Sequence, residues 1–316
     1  MQRGRKIVVV GSANMDMVIG VERLPRTGET ITGTNLRLFP GGKGANQACA
    51  AGRLSGRVSM IGQVGEDAFG SSLVDSLSAA NVDVTGIGRS NRPTGSASIY
   101  VMPDGENSIV VSPGANATLD PEIVVKRLNV DEGDIVLCQL EIPLDTVEAV
   151  LADAKSHSAV TILDPAPART LPARILRRVD FVTPNQTEAG VLLGDSDFRI
   201  DGLGQAREAA RRLMELGPAA VVMKLGELGA LVWDGRHSFA ARPLQVRAVD
   251  TTAAGDVFNG ALAVALAGGK QIDDAVLFAN AAAAISVTRP GAQPSMPSRL
   301  EVDEFLSAAG QVAPND

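Results

Sequence analysis

Asp250-Thr251-Thr252-Ala253-Ala254-Gly255-Asp256-Val257-Phe258-Asn259-Gly260 is the stretch from which the rest of the chain can be read. It is small, polar and glycine-bearing, and an apolar run over 261–267 follows at once. That order predicts a tight turn feeding a helix N-terminus. The first N–H groups of a helix have no partner inside it, and the helix dipole favours negative charge beside them. Ala253, Ala254 and Gly255 add no bulk, so an anion can approach the backbone closely. Asp256 is the odd residue in such a cradle. Its carboxylate repels an anion, unless its task is to take a proton from the group that attacks the anion. An anion cradle with one carboxylate is the minimum equipment for phosphoryl transfer to a hydroxyl. The competing reading is structural: an Asp in a first helical turn serves as a cap.

The bulk composition excludes several classes. A chain of 316 residues, 45% hydrophobic and 21% charged, is globular and long enough for one large α/β domain or two small ones. The net charge is −7, so no nucleic-acid surface is expected. An anionic substrate must then be gripped by local geometry and not by a global field. Cys49 and Cys138 stand in apolar contexts without metal-ligand spacing, which predicts buried free thiols and a reducing, cytoplasmic location. The only histidines, His157 and His237, lie in no motif, which argues against a hydrolase triad or a histidine metal site. No apolar run approaches ~18 residues, so no membrane span is expected.

Working outward, residues 7–10 (Ile-Val-Val-Val) predict a buried parallel strand ending at Gly11. Ligands of open α/β sheets gather at the carboxyl ends of strands. Asn14 and Asp16 leave that end, suited to vicinal sugar hydroxyls or else to an Asx turn. Pro40-Gly41-Gly42-Lys43-Gly44-Ala45-Asn46 precedes a helix expected over 47–54. It lacks the spacing of a P-loop or of a dinucleotide fingerprint. It reads either as a nonspecific glycine turn or as a substrate grip using Lys43 and Asn46. Strands are expected at 58–61, 134–140, 160–163, 181–183 and 220–223. Helices are expected at 71–80, 144–156, 187–193, 205–216 and 273–287. This alternation predicts an α/β fold, a doubly wound and mostly parallel sheet flanked by helices. Polar residues, among them Glu141, Asp164, Asn185 and Lys224, punctuate its strand ends. Short β-prone pieces at 18–20 and 29–34, and a hairpin at 95–102 and 107–112, break the rhythm. They predict a small β-sheet lid, 12–40 and 94–112, inserted in a main unit of 1–11, 41–93 and 113–316. Dimerisation would cover the unpaired edges of such a sheet.

The glycine turn, Asp-Thr-x-Ala-Ala-Gly-Asp over 250–256, and residues 11–16, 164–168, 183–188 and 281–295 resemble the ribokinase-like (pfkB) carbohydrate kinases nearly end to end. The resemblance implies ATP-dependent phosphorylation of a sugar, with the 5-hydroxyl of D-ribose as the expected acceptor. Deoxyribose, fructose and adenosine kinases of the same superfamily are alternatives. A non-catalytic sugar-binding protein on this fold would need a damaged Asp256 or a filled anion hole. By the resemblance, Asn14, Asp16, Gly42, Lys43, Asn46 and Glu141 contact the sugar. Asn185, Lys224, Gly226, Gly229, Gly255 and Asn280 lie along ATP. Ala253, Ala254 and Gly255 form the anion hole with Asp256 as base, and Asn185 and Glu188 orient the waters of Mg2+. Lys224 departs from related chains, which often carry Thr there. The helix N-terminus is expected to lower the pKa of Asp256, which suits an orienting role. Asp250, beside the anion hole, needs a counter-charge. Either Arg289 supplies it, or a K+ ion does, held by Asp250, Thr252, Ser286, Arg289, Gly291 and Ser295 on two loops that the resemblance brings together. The expected assembly is a homodimer through the lid.

Overall fold

Four β-branched residues make β1 (Ile7–Val10) a strand buried on both faces. Ile7 and Val9 point into one apolar core, Val8 and Val10 into the other. Burying each such side chain is worth about 1.5–3 kcal/mol. The computed structural model describes residues 4–195 and 197–311. Residues 1–3, 196 and 312–316 of the expected main unit lie outside the described residues.

The next strands are β2 (Asn14–Gly20), β3 (Arg37–Gly41), β4 (Val58–Gly65), β5 (Val82–Ser90), β6 (Gly95–Val101) and β7 (Asn107–Ser112). Then come β8 (Ile135–Cys138), β9 (Val160–Leu163), β10 (Phe181–Val182), β11 (Ala220–Lys224), β12 (Ala230–Trp233) and β13 (Ser238–Ala241). The helices are α1 (Lys43–Arg53), α2 (Ala68–Ala79), α3 (Pro121–Arg127), α4 (Leu144–Ser156) and α5 (Ala173–Leu176). They continue with α6 (Gln186–Leu192), α7 (Leu203–Glu215), α8 (Ala254–Ala267), α9 (Ile272–Ser286) and α10 (Arg299–Gln311).

Nine strands form the main sheet in the order β13-β12-β11-β10-β9-β8-β1-β4-β5. It is parallel from β11 to β5, and β12 and β13 add an antiparallel edge. One core packs α1, α2, α8 and α9 on one face; the other packs α3, α4, α6 and α7 on the opposite face. β1 lies between β8 and β4, so the chain leaves it in opposite directions across the sheet. A crevice opens at the carboxyl end of such a switch point.

The four-stranded second sheet, β3-β2-β6-β7, pairs the two segments that break the α/β rhythm. Its make-up differs from expectation at two strands: β2 starts at Asn14, four residues before the expected piece at 18–20. Residues 29–34 are not a strand, and Arg37–Gly41 takes the place beside β2 instead. Thr34 touches the end of β2, its N–H donating to the Gly20 carbonyl, while Glu29 is bound to Arg23 at the surface.

Candidate active site

The glycine turn sits against the end of β1. At Gly42, φ is +86° and an added Cβ would stand 2.6 Å from the Asn14 nitrogen, so only glycine fits. This lets α1 begin at Lys43, four residues before the expected start, and aims its first turn at the crevice. Glu141, just past β8, ties the pieces together. It accepts from Ser12 Oγ (2.5 Å), the Lys43 N–H (3.1 Å) and Asn14 Nδ2 (3.4 Å). Asn116, which the sequence did not single out, holds Asn14 from the other side. It donates to Asn14 Oδ1 (2.7 Å) and accepts from the Ala13 N–H (2.9 Å). Asp16 lies on β2 in the same group. Burial, with the nearby Glu141 and Asp256, pushes its pKa up to about 7. The six expected sugar-contacting residues, Asn14, Asp16, Gly42, Lys43, Asn46 and Glu141, thus converge.

Asp256 opens α8 but does not cap it. The cap position is Ala253, left-handed at φ 59°, and no side chain caps the helix. The Ala254 N–H, expected to be free, donates to the Thr251 carbonyl at 3.2 Å. The Gly255 and Asp256 N–H groups meet no acceptor among the described residues. The Asp256 carboxylate is 6% exposed and turned toward α1. Asn46 Nδ2 donates to its Oδ2 and Gln47 Nε2 to its Oδ1, both at 3.0 Å. Gly260 allows this approach, since a Cβ there would stand 2.7 Å from the Gln47 carbonyl. The expectation of a lowered pKa is overturned. Burial pushes it up to about 6, against the pull of Lys43 and the two amides and with a further push from Asp164. A value just below neutrality keeps the carboxylate ionised at pH 7 yet able to hold a proton. Burial works against the charged form of Lys43, but Asp256, Asp164, Glu141 and Glu188 hold its pKa above the usual lysine value.

On the other side of Asp256 a cleft of about 820 Å³ opens. Asn185, Lys224, Gly226, Gly229, Gly255 and Asn280, the six residues expected along the nucleotide, all line it. Pro243, Leu244, Val246, Ala283, Ala284 and Val287 supply an apolar wall that the sequence reading missed. Ala283 and Ala284 fall in the helix expected at 273–287, and an alanine face looks the same in sequence whether it meets a helix or a ligand. Asn280 Nδ2 is anchored on the Arg242 carbonyl. Asn185 and Glu188 form a reciprocal capping box at the start of α6. Lys224 Nζ bonds Asp164 Oδ1 at 2.8 Å and lies 3.8 Å from Glu188. The same ammonium would stand 3.4 Å from a Cβ at Gly255, which places a cation beside the first turn of α8.

Asp250 bridges two loops. Its Oδ1 accepts from the N–H and Oγ1 of Thr252 (2.9 and 2.6 Å), and its Oδ2 from the Gly291 N–H (2.8 Å). Burial pushes its pKa up, but these bonds outweigh it and hold the carboxyl below its ordinary value. Arg289 is not its counter-charge, because it pairs with Glu301 at 2.5 Å. The Ser286 carbonyl accepts from the Arg289 N–H, and Ser295 Oγ donates to the Ala292 carbonyl.

Comparison with known proteins gives the same picture. The pfkB family of carbohydrate kinases matches residues 4–299. A Haemophilus influenzae ribokinase is 41% identical, with 96% of this chain and 99% of that protein covered. A Bacillus subtilis ribokinase is 39% identical, with 96% and 100% covered. Among solved structures, the Arabidopsis thaliana ribokinase complexed with ribose and ATP superposes with a TM-score of 0.87 at 34% identity, covering 96% of this chain and 99% of that one. A glycine turn and a buried helix-start aspartate, set between a polar pocket and a long cleft, are therefore the features of a chain that belongs to the pfkB family of carbohydrate kinases.

Proposed function

We propose that the chain transfers the terminal phosphoryl group of ATP to the 5-hydroxyl of D-ribose. The observation that carries this is the position of Asp256, buried between the polar group around Asn14, Asp16 and Glu141 and the Lys224 cleft. ATP lies in the cleft with its terminal phosphate at the Gly255 and Asp256 N–H groups. The sugar lies on the other side, its hydroxyls read by Asn14, Asp16, Gly42, Lys43, Asn46 and Glu141. Asp256 orients the acceptor hydroxyl and takes its proton late, because a loose phosphoryl transfer makes little demand on base strength. The two N–H groups, Lys43 and Lys224 offset the charge on the moving phosphoryl.

Four finer readings accompany this one. Asn185 and Glu188 present oxygen donors at the cleft, which fits Mg2+ held mainly by phosphates and water. When bound, that ion neutralises phosphate charge. Asp250 ties Thr252 and Gly291 together, and with the carbonyls of Ser286, Arg289 and Gly291 and with Ser295 it would offer the oxygens that a monovalent K+ takes. The second sheet closes over the sugar as a lid and excludes water as a competing acceptor. β7 leaves Ile109, Val110 and Val111 exposed on a sheet edge, which supports a homodimer through that sheet.

The test is a steady-state assay with Mg-ATP and a panel of ribose, 2-deoxyribose, fructose and adenosine. Ribose should have the highest kcat/KM, and 2-deoxyribose should be weaker, since a buried polar group left without its hydroxyl costs roughly 1–3 kcal/mol. No turnover of ribose would refute the proposal.

A further inference from the structure

Gln47 is fully buried and its amide is completely used. Nε2 donates to Asp256 Oδ1 at 3.0 Å and to Asp164 Oδ2 at 2.8 Å. Its Oε1 accepts from Gln139 Nε2 at 2.6 Å. An amide can flip, but ionised carboxylates only accept, so both hydrogens of Nε2 point at the two carboxylates and the oxygen faces Gln139. Asp164 is 1% exposed, and its other oxygen takes the Lys224 ammonium at 2.8 Å. One unbroken chain of contacts therefore runs from Lys224, at the anion hole, through Asp164 and Gln47 to Asp256. Reading the sequence gave Gln47 no role beyond α1, and Asp164 a place at a strand end and in the motif 164–168 but no chemical role.

We propose that Gln47 and Asp164 are positioning residues for phosphoryl transfer: Gln47 fixes the Asp256 carboxylate for the acceptor hydroxyl, and Asp164 fixes Gln47 and adjusts the proton affinity of the base. Neither touches the reacting atoms. The inference rests on the reading of Asp256 as the base. The charged groups facing Asp256 are Lys43 from α1, Asp164 after β9 and Asp16 from β2, and its amide donors are Asn46 and Gln47. The two positioning residues act on it with opposite sign. Asp164 is a like charge and favours the protonated base; Gln47 is a donor and favours the ionised base.

The test is the pH profile of kcat/KM for ribose at saturating Mg-ATP, in wild type, Asp164→Asn and Gln47→Met. The acid limb contains the ionisations of Asp256 and Asp16, and both variants change groups that face Asp256. In Asp164→Asn it should move to lower pH, and in Gln47→Met to higher pH, each by roughly half to one unit. Asp164→Asn keeps the size and one of the two acceptors, so it carries the test if Gln47→Met does not fold. A uniform loss of activity, with the limb at its wild-type position in the folded variants, would overturn the proposal and leave a structural network. Asp256→Asn in the same series separates the two readings. If it keeps wild-type turnover, the base assignment fails; if it is inactive while the limbs stay fixed, only the positioning proposal fails.

Discussion

Asp16 and Asp256 are acids kept where water is scarce, with pKa values pushed up to about 7 and about 6. In the unfolded chain both titrate near 3.8. Between those limits the folded state binds more protons than the unfolded one, so these groups lower stability as pH rises from about 4 to 7. Asp16→Asn removes one such ionisation. The variant should be more stable than wild type at pH 8, by roughly 1–3 kcal/mol, with a much smaller gain near pH 4. Thermal or urea unfolding at the two pH values checks this; an equal effect at both would show that desolvation of the Asp16 charge is not the cause. The same variant should bind ribose more weakly. Asp256 itself was legible in the sequence, because a carboxylate inside an anion cradle needs a reason. Asn116, Gln47 and Asp164 were not. Their partners lie some 100 to 200 positions away in the chain, and no local pattern reveals such a bond.

Among the elements, α8 begins at a left-handed Ala253, a conformation that favours glycine. Ala253→Gly relieves that strain and adds some freedom to the unfolded chain, so the net gain should be small, up to about 1 kcal/mol. A loss of stability measured in urea would mean that the Ala253 methyl packs usefully. The two loops joined by Asp250 and Gly291 support the helix start from below. K+ should raise kcat above its value in Na+ at matched ionic strength, and Asp250→Asn should weaken that response. Equal rates in the two salts would leave Asp250 as a structural bridge only. Strands with apolar runs were legible, β1 and β9 at the residue, because burial on both faces writes itself as composition. β5, β12 and β13 were missed. β5 mixes Gly86 and Gly88 with polar residues, and the edge hairpin follows no βα alternation. Residues 29–34 show the reverse error: β propensity that meets β2 only at its end, through Thr34 and Gly20, made no strand.

For the whole molecule, the exposed Ile109–Val111 edge predicts a dimer in sedimentation at micromolar concentration, and Val110→Lys should shift it toward monomer. A monomeric wild type would remove the dimer while leaving the lid reading intact. The switch point at β1 sets the polar group around Asn14 and the long cleft on either side of one buried carboxylate, Asp256. The most direct measurement is ribose-dependent ADP formation by Asp256→Asn beside wild type, with ribose binding followed calorimetrically. The variant should fold and bind ribose while turnover falls by about two to four orders of magnitude. Near-normal turnover in the purified variant would contradict the account and place the base elsewhere.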